Sequence, residues 1–363
     1  SNNIRGVSAG GSDPSTNTID YVTITTTGDA ADFGDLLSTT NPTGACVGHG
    51  GIDMEILQRP SVNYMPGSGR GLFCGGETPT YVNTIDRIVI PTLGNAADFG
   101  DLVSVNGRCP AGCSSLTRGL VSGGSIPGAY LATIDAFSLL SEGNAFDFGD
   151  LASVAQSSYG AGGTTRAFVN LGSVSDAASN VINYMTIATA GDASDFGDLT
   201  TTVKNHAACS SSTRGVAAGG YGGSPAGYLN VIDYITIAST GDATDFGDLT
   251  DARNTPASCG SSTRGLWMAG GDAAEDKNVI DYVTIASTGD ATDFGDLTAA
   301  RSQPNALSSN VRGICGGGAA PSVSNVMDYV TIASTGDAAD FGDLSAARNF
   351  HTAVSDSHGG LQH

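Results

Sequence analysis

The stretch Gly289-Asp-Ala-Thr-Asp-Phe-Gly-Asp-Leu297 ends in the pentapeptide Asp-Phe-Gly-Asp-Leu, which occurs seven times in this chain. The copies begin at Asp32, Asp98, Asp147, Asp195, Asp245, Asp293 and Asp340. They are 66, 49, 48, 50, 48 and 47 residues apart. A period near 50 residues that fills a chain indicates one supersecondary unit stacked on copies of itself. The pentapeptide therefore predicts a repeat architecture for all 363 residues.

One repeat is predicted to contain four short strands. In the sixth copy, two apolar runs at 255–260 and 264–269 are separated by a Ser-Ser-Thr turn, and a Gly-Gly pair ends the second. Residues 279–286 alternate between apolar and polar side chains, which is typical of a half-buried strand. A Thr-Gly-Asp turn precedes the last strand, at 293–297. No segment has helical periodicity, so we expect an all-β fold.

The two ends of the chain complement each other. The chain starts inside a repeat, at Arg5-Gly6-Val7, and residues 348–354 at its other end supply the missing first strand. Four-stranded units with complementary ends predict a seven-bladed β-propeller, closed where the C-terminal strand joins the N-terminal blade. The predicted repeats of this single domain are 1–40 with 347–363, 41–103, 104–152, 153–201, 202–250, 251–298 and 299–346. Because the chain starts at Ser1 in mid-repeat, we expect a processed product or an excised domain.

The blade resembles the kelch repeat. That family has a second strand ending in Gly-Gly, a third strand with Tyr and a fourth strand with an aromatic residue, usually Trp. The Gly pairs here are Gly10-Gly11, Gly75-Gly76, Gly123-Gly124, Gly219-Gly220, Gly270-Gly271 and Gly316-Gly317, and the third-strand tyrosines are Tyr21, Tyr184, Tyr234, Tyr282 and Tyr329. The fourth-strand aromatic is Phe in every copy, and the fourth copy replaces the Gly pair by Leu171-Gly172-Ser173. The resemblance implies a fold and no reaction.

A second resemblance concerns the amino-acid sequence IDYVTIASTGDATDFGDL at residues 280–297. It is similar to repeats in large structural and tail-associated proteins of marine tailed bacteriophages. This resemblance implies a virion protein, and we expect a virion or extracellular location.

The net charge of −21 comes from 36 Asp and Glu residues against 15 Lys and Arg residues. Phosphate binding needs a basic face, so the composition disfavours a nucleic-acid partner, and an anionic membrane surface is disfavoured for the same reason. No apolar run approaches ~18 residues, so we expect no membrane insertion.

The repeated acidic turn Gly-Asp-Ala-x-Asp-Phe-Gly-Asp is the strongest candidate for metal chemistry. Three carboxylates in one turn suit calcium, as with Asp242, Asp245 and Asp248. The second and third copies, however, carry Asn95 and Asn144 in place of the first Asp. The alternative is that these side chains cap backbone N–H groups in the turn. We favour capping and expect no cofactor, with calcium left open.

An arginine recurs once in each blade. The seven are Arg5, Arg70, Arg118, Arg166, Arg214, Arg264 and Arg312. They could form a ring of cations for an anionic ligand. The favoured interpretation is structural, with one buried or half-buried Arg–Asp bond per blade, since guanidinium groups bind carboxylates in bidentate fashion.

Candidate binding residues lie where the copies differ, because inserts on repeat scaffolds map to loops at one face. An insertion at 43–69 in the second repeat includes His49, Asp53, Glu55 and Tyr64. The loops after the Gly pairs carry Tyr81, Tyr130, Tyr221 and Tyr228. Tyrosine-rich loops suit the binding of protein or carbohydrate. Two first-strand histidines, His206 and His351, are expected to line the central channel as polar groups.

These patterns predict a non-enzymatic interaction or structural module, with no catalytic residues, that binds a partner protein or a surface glycan through its loops. Two alternatives stay open. One is an enzyme acting on extracellular polysaccharide, which needs two unlike catalytic groups that converge. The other is a secreted adhesion propeller stabilised by calcium.

Overall fold

A computed structural model of the protein describes residues 5–12, 15–23, 31–40, 69–78, 80–108, 110–319 and 321–361. These residues form strands joined by turns and contain no helix, which confirms the all-β prediction for the described part of the chain. Accordingly, no described helix is long and apolar enough to cross a membrane.

The chain divides into two compact units, residues 1–65 and residues 66–363. The first unit contains one antiparallel sheet of three strands, β1 (Arg5–Ser12), β2 (Ser15–Thr23) and β3 (Ala31–Thr40), in the order β1-β2-β3. These strands correspond to the second, third and fourth strands of the predicted repeat. The first copy of the repeat is thus a sheet on its own.

The second unit holds the other thirty strands. They are β4 (Arg70–Cys74), β5 (Glu77–Thr78), β6 (Thr80–Tyr81), β7 (Thr84–Val89), β8 (Ala97–Asp101), β9 (Ala111–Ser114), β10 (Arg118–Ser122), β11 (Ser125–Ile126), β12 (Ala129–Ser138), β13 (Phe146–Ala155), β14 (Tyr159–Gly162), β15 (Arg166–Asn170), β16 (Ser173–Val174), β17 (Ala177–Thr186), β18 (Ser194–Lys204), β19 (Ala207–Ser210), β20 (Arg214–Ala218), β21 (Tyr221–Gly222), β22 (Gly227–Tyr228), β23 (Val231–Thr236), β24 (Thr244–Asp248), β25 (Ala257–Gly260), β26 (Arg264–Met268), β27 (Val279–Thr284), β28 (Thr292–Asp296), β29 (Asn305–Ser308), β30 (Arg312–Gly316), β31 (Val326–Thr331), β32 (Ala339–Asp343) and β33 (Thr352–Ser355).

Six antiparallel sheets, each with an inner, second, third and outer strand, make up most of this unit, and β5 and β6 form a separate two-stranded sheet. In that strand order they are blade I (β33, β4, β7, β8), blade II (β9, β10, β12, β13), blade III (β14, β15, β17, β18), blade IV (β19, β20, β23, β24), blade V (β25, β26, β27, β28) and blade VI (β29, β30, β31, β32). Short hairpins extend some blades: β11 pairs with β12, β16 pairs with β17, and β21 joins β22 to β18.

The six blades form a closed ring. Each inner strand contacts the inner strands of both neighbouring blades, and β33 of blade I contacts β9 of blade II on one side and β29 of blade VI on the other. Six buried hydrophobic clusters fill the six interfaces between blades. The cluster that closes the ring packs Phe73 and Ile88 of blade I against Leu307 and Phe341 of blade VI. The protein is a β-propeller, but the prediction of seven blades is wrong.

The repeated pentapeptide joins one blade to the next. At the interface of blades IV and V, Gly289 N–H donates to Phe246 O (2.8 Å) and Ala291 N–H donates to Asp248 O (2.8 Å). Gly247 lies so close to this turn that a Cβ there would be 2.6 Å from the backbone of Gly289. Glycine is therefore required at position 247 for two reasons. There is no room for a Cβ, and the φ of +149° is unfavourable for any residue with a side chain. The outer strand of each blade is therefore hydrogen-bonded to the acidic turn of the next blade, and we call the continuous ring of these contacts the belt.

The same bonds close the ring of six blades. At the interface that completes it, Gly94 N–H donates to Phe341 O (3.1 Å) and Ala96 N–H donates to Asp343 O (2.8 Å). The turn of the second repeat is thereby occupied by the last repeat.

The C-terminal strand closes the ring at a different blade from the one predicted. β33 pairs with β4, with Val354 opposite Leu72 and Ala353 opposite Phe73. The prediction that it joins the N-terminal blade is wrong, because its partner strand belongs to the second repeat. All five residues of β4 are buried, so this pairing completes a core sheet.

Because the ring is complete without the first repeat, we expect residues 66–363 alone to unfold in one cooperative transition, with a Tm within a few degrees of that of the whole chain. A chain lacking residues 352–363 should lose the inner strand of blade I and melt at a much lower temperature. Differential scanning calorimetry of the two truncated chains tests this. Loss of cooperative unfolding in residues 66–363 would contradict the six-bladed closure.

Candidate binding site

The blades have two ends that differ in composition. The loops between second and third strands, and those leading from an outer strand to the next inner strand, lie at one end, which we call the loop end; examples are residues 80–83 and 102–108. The turns between inner and second strands and between third and outer strands lie at the opposite turn end. The repeated acidic turns belong to the turn end, and the variable loops to the loop end.

The repeated arginines tie neighbouring blades together. Six of them each donate from Nη1 to a backbone carbonyl of the adjacent blade, as when Arg214 binds Ile285 O at 3.0 Å and Arg312 binds Ile90 O at 2.9 Å across the closing interface. The same guanidinium lies over an aromatic ring of its own blade, with Arg214 4.5 Å from the centroid of Tyr234. The other four donors are Arg70, Arg118, Arg166 and Arg264. The side chain of Arg5 lies outside the described residues.

The expected Arg–Asp bonds are formed by a different set of arginines. Arg253, Arg301 and Arg348 precede the inner strands and pair with Asp281, Asp328 and Asp86 on the third strands of the same blades. In two of these pairs the N–O distances are 2.9 Å (Arg253) and 2.7 Å (Arg348), and all six side chains are buried. For five of the once-per-blade arginines, which bind carbonyl oxygens instead, the prediction of Arg–Asp bonds is wrong; these are Arg118, Arg166, Arg214, Arg264 and Arg312. The sequence segment Ala-Arg-Asn or Ala-Arg-Ser marks the arginines that do form these bonds.

In the three blades that lack this arginine, the residue at the same third-strand position has other hydrogen-bond partners. In blade IV, Asp233 accepts hydrogen bonds from the backbone and hydroxyl of Thr200. In blade III the residue is Asn183, an uncharged side chain. In blade II, the one hydrogen bond that the Asp135 side chain accepts from the described residues comes from Val103 N–H, at 3.0 Å, and burial raises the pKa of Asp135 to about 6. Among the third-strand carboxylates of the described blades, Asp135 therefore has the fewest hydrogen bonds and ion pairs to stabilise its negative charge.

His206 and His351 are fully buried between blades and do not line the central channel, so that expectation is wrong. The ring of His206 packs on Tyr159 (5.3 Å between centroids) and that of His351 packs on Phe73 (5.5 Å). Burial lowers the pKa of each to about 3, which keeps both imidazoles neutral. Pro256 occupies the corresponding position in blade V, so these histidines fill space as a proline does.

The wall of the central channel carries few functional side chains. The second residues of the six inner strands line it, and all are small: Gly112, Gly160, Ala208, Ser258, Ala306 and Ala353.

At the turn end, residues 356–361 cross the mouth of the central channel. Gly359 N–H donates to Gly260 O of blade V (3.1 Å), and His358 Nε2 lies 3.0 Å from Ser114 O of blade II. The chain's own C-terminal segment thus occupies that mouth.

The repeated acidic turns use their first carboxylate to bind backbone. Asp290 Oδ1 accepts from Asp248 N–H (3.1 Å), and Asn95 and Asn144 make the same bond at their own interfaces. An amide oxygen does this as well as a carboxylate, which explains the exchange of Asp and Asn. Among the described residues, no group of three or more His, Cys, Asp or Glu side chains is arranged to hold a metal ion.

Two of the predicted tyrosines lie in one cluster at the loop end. Arg108 Nε donates to the hydroxyl of Tyr81 at 3.0 Å, and Tyr130 donates to a carboxylate oxygen of Asp176. Tyr81 also lies flat against the backbone, since a Cβ on Gly107 would be 2.6 Å from its ring. We call these four residues, Tyr81, Arg108, Tyr130 and Asp176, the tyrosine–arginine cluster. It brings together loops of blades I, II and III.

The other two loop tyrosines form a separate pair. Tyr221 and Tyr228 face each other across the β21–β22 hairpin, with ring centroids 5.4 Å apart in an edge-to-face arrangement. Tyr228 is 36% exposed. The pair belongs to the loop of blade IV, and its contacts with blade III run through β18. His49, Asp53, Glu55 and Tyr64 lie outside the described residues.

Arg108 and Asp176 were missed by the sequence analysis. Neither belongs to a repeated motif, since each occurs once, in a loop that varies between copies. Both have a positive φ, 56° for Arg108 and 67° for Asp176, which is uncommon for residues other than glycine. The available signal was a cation at a loop position where other copies carry uncharged residues, such as Thr255 and Gln303.

Comparison with known proteins adds no family. No protein-family model matches the chain, and no curated protein gives a significant match.

We expect Asp290→Asn to unfold at the same denaturant concentration as the unaltered protein, because the amide oxygen still accepts from Asp248 N–H. Asp290→Ala removes the acceptor and should lower the free energy of unfolding by about 1 kcal/mol. Guanidinium titration without added calcium measures both variants. Equal destabilisation by Asn and Ala would show instead that the negative charge matters at this turn.

Asp135→Asn should stabilise the protein at pH 7 to 8 by roughly 1–2 kcal/mol, a range reduced for partial solvent access. The raised pKa means that the folded state holds its proton more tightly than the unfolded state. The carboxyl group is therefore best tolerated below about pH 4, and its ionisation destabilises the fold as pH rises through about 6. The gain from Asn should disappear near pH 4 when unfolding free energies are measured across this range.

The matched control is Asp281→Asn, which leaves the buried guanidinium of Arg253 without its carboxylate. It should destabilise by about 3 kcal/mol or more at pH 7. If both substitutions changed stability in the same direction at pH 7, the assigned difference between the two sites would be wrong.

Proposed function

We propose that this chain is a non-enzymatic interaction module that binds a surface glycan or a partner protein through the loop end of the propeller. The observation that carries the proposal is the tyrosine–arginine cluster, in which side chains from three consecutive blades converge. Tyr81 and Tyr130 are both partly exposed. Tyrosine presents a large contact area at low conformational entropy cost, which suits a binding surface.

The rest of the ring supports a role as a rigid frame. The repeated Asp, Phe, Gly and Arg residues are engaged between blades, as in the bonds of Asp290 and Arg214. Groups held in this way fix the loops that they support. Function on a repeat scaffold is expected where copies differ, and the loop end is where they differ.

A proposal for where the protein is found rests only on the resemblance of residues 280–297 to repeats in structural proteins of tailed bacteriophages. On that ground we propose a virion-surface or tail-associated protein, or an extracellular one. Mass spectrometry of purified particles, with antibody to residues 66–363, tests the first setting.

A glycan array carrying neutral and acidic oligosaccharides tests binding. We expect the unaltered protein to bind a subset of the glycans without releasing products, because the cluster offers contact area and hydrogen bonds. Tyr81→Ala combined with Tyr130→Ala should reduce binding at least tenfold. Leu93→Ser, which alters a 59% exposed residue at the turn end, is the control and should bind normally.

Product release from any bound glycan would contradict the non-enzymatic assignment. Binding that survives the double substitution would place the site elsewhere on the molecule.

A further inference from the structure

The tyrosine–arginine cluster contains a cation, Arg108, that forms no ion pair with the part of the chain that the structure describes. Arg108 is exposed, and the bond from its Nε to Tyr81 is the one hydrogen bond that its side chain makes with the described residues. No carboxylate of the described residues lies within ion-pair distance of it, whereas Arg253, Arg301 and Arg348 are each paired. The remaining guanidinium N–H groups are thus available. Their planar, forked arrangement matches the two oxygens of a carboxylate.

Most of the carboxylates that the structure describes lie away from Arg108, although Asp176 belongs to the same cluster. The carboxylates of the repeated turns and pentapeptides, such as Asp290 and Asp293, lie at the turn end or near it on the outer strands. Charges separated by more than about 8 Å are largely screened at physiological ionic strength. Glu77 is the nearest acidic group that acts on Arg108. A net charge of −21 therefore does not prevent an anionic group from reaching Arg108.

Two tyrosine rings lie near Arg108, and together with its guanidinium group they suit the binding of a single sugar ring. Tyr81 is seated on Gly107, and the hydrogen bond from Arg108 holds its hydroxyl. Tyr130 is within electrostatic range of Arg108, and Asp176 fixes its hydroxyl. Two held aromatic rings beside a planar cation give apolar faces and a carboxylate-binding group at one place. A sugar ring that carries a carboxylate presents the same two features, a C–H face and an anion.

We propose that the tyrosine–arginine cluster binds carboxylated sugar units, with Arg108 holding the carboxylate and the rings of Tyr81 and Tyr130 packing against the sugar. The inference rests on the proposed function, since it names the class of glycan that the same site takes. Asp176 acts as a positioning residue through Tyr130.

Oligogalacturonate and its fully methyl-esterified form provide matched probes, because they share the sugar and differ in the charge of the carboxyl group. Calorimetric titration of the full chain should show at least tenfold tighter binding of the acid than of the ester, and the preference should fall as salt is raised. Arg108→Gln should remove the preference. Arg87→Gln is the control, because it removes the same charge from a residue paired with Glu142 and should leave the preference intact.

Each outcome separates this inference from the function on which it rests. Equal affinity for acid and ester, with binding still lost in Tyr81→Ala, would overturn the inference and leave the glycan-binding module standing. A preference for the acid that survives Arg108→Gln would also overturn it. Equally tight binding of an oligoglutamate of the same charge would assign the site to acidic peptides instead. Failure of the full chain to bind any glycan would remove both proposals for glycans.

Discussion

The ring depends on one contact, in which the outer strand of each blade fits against the acidic turn of the next. The contact combines two backbone hydrogen bonds, a side-chain oxygen that caps a third N–H, and a glycine without room for a Cβ. All of its groups are either main chain or short polar side chains, so its geometry is the same at every interface. Six identical contacts impose a constant rotation between blades. Arg214 and its equivalents add a second tie from the second strand of each blade.

A uniform frame leaves other positions free to vary in how they satisfy buried polar groups. The third-strand carboxylate shows this best. It has an arginine and a hydroxyl in blade I, where Asp86 binds Arg348 and Ser345, but it has neither in blade II. In blade III the charge itself is absent, at Asn183. Because the belt fixes the blade, a local electrostatic deficit of this size is tolerated without loss of the architecture.

The sequence predicted the four-stranded unit and the propeller, because these follow from periodicity and from Gly and Tyr positions that recur. It did not predict the number of blades. Seven copies carry the same contact surfaces, and no residue of the pentapeptide distinguishes a ring of six from one of seven. The deciding fact is that the last inner strand pairs with Arg70–Cys74 and not with the first repeat. Arg108 was missed for the opposite reason, since periodicity reveals what recurs and a single loop cation does not.

The pairing of β33 with β4 also has a consequence for synthesis on the ribosome. Blade I receives its inner strand from residues that are translated long after its second strand, because Asp356 and Arg70 are separated by 286 residues along the sequence. Until then, β4 is an unpaired edge whose buried apolar residues have no cover, the kind of surface that recruits foreign strands. A nascent chain that stalls shortly before Thr352 would therefore present an open ring with one adhesive blade, and quality-control factors would meet it in that state.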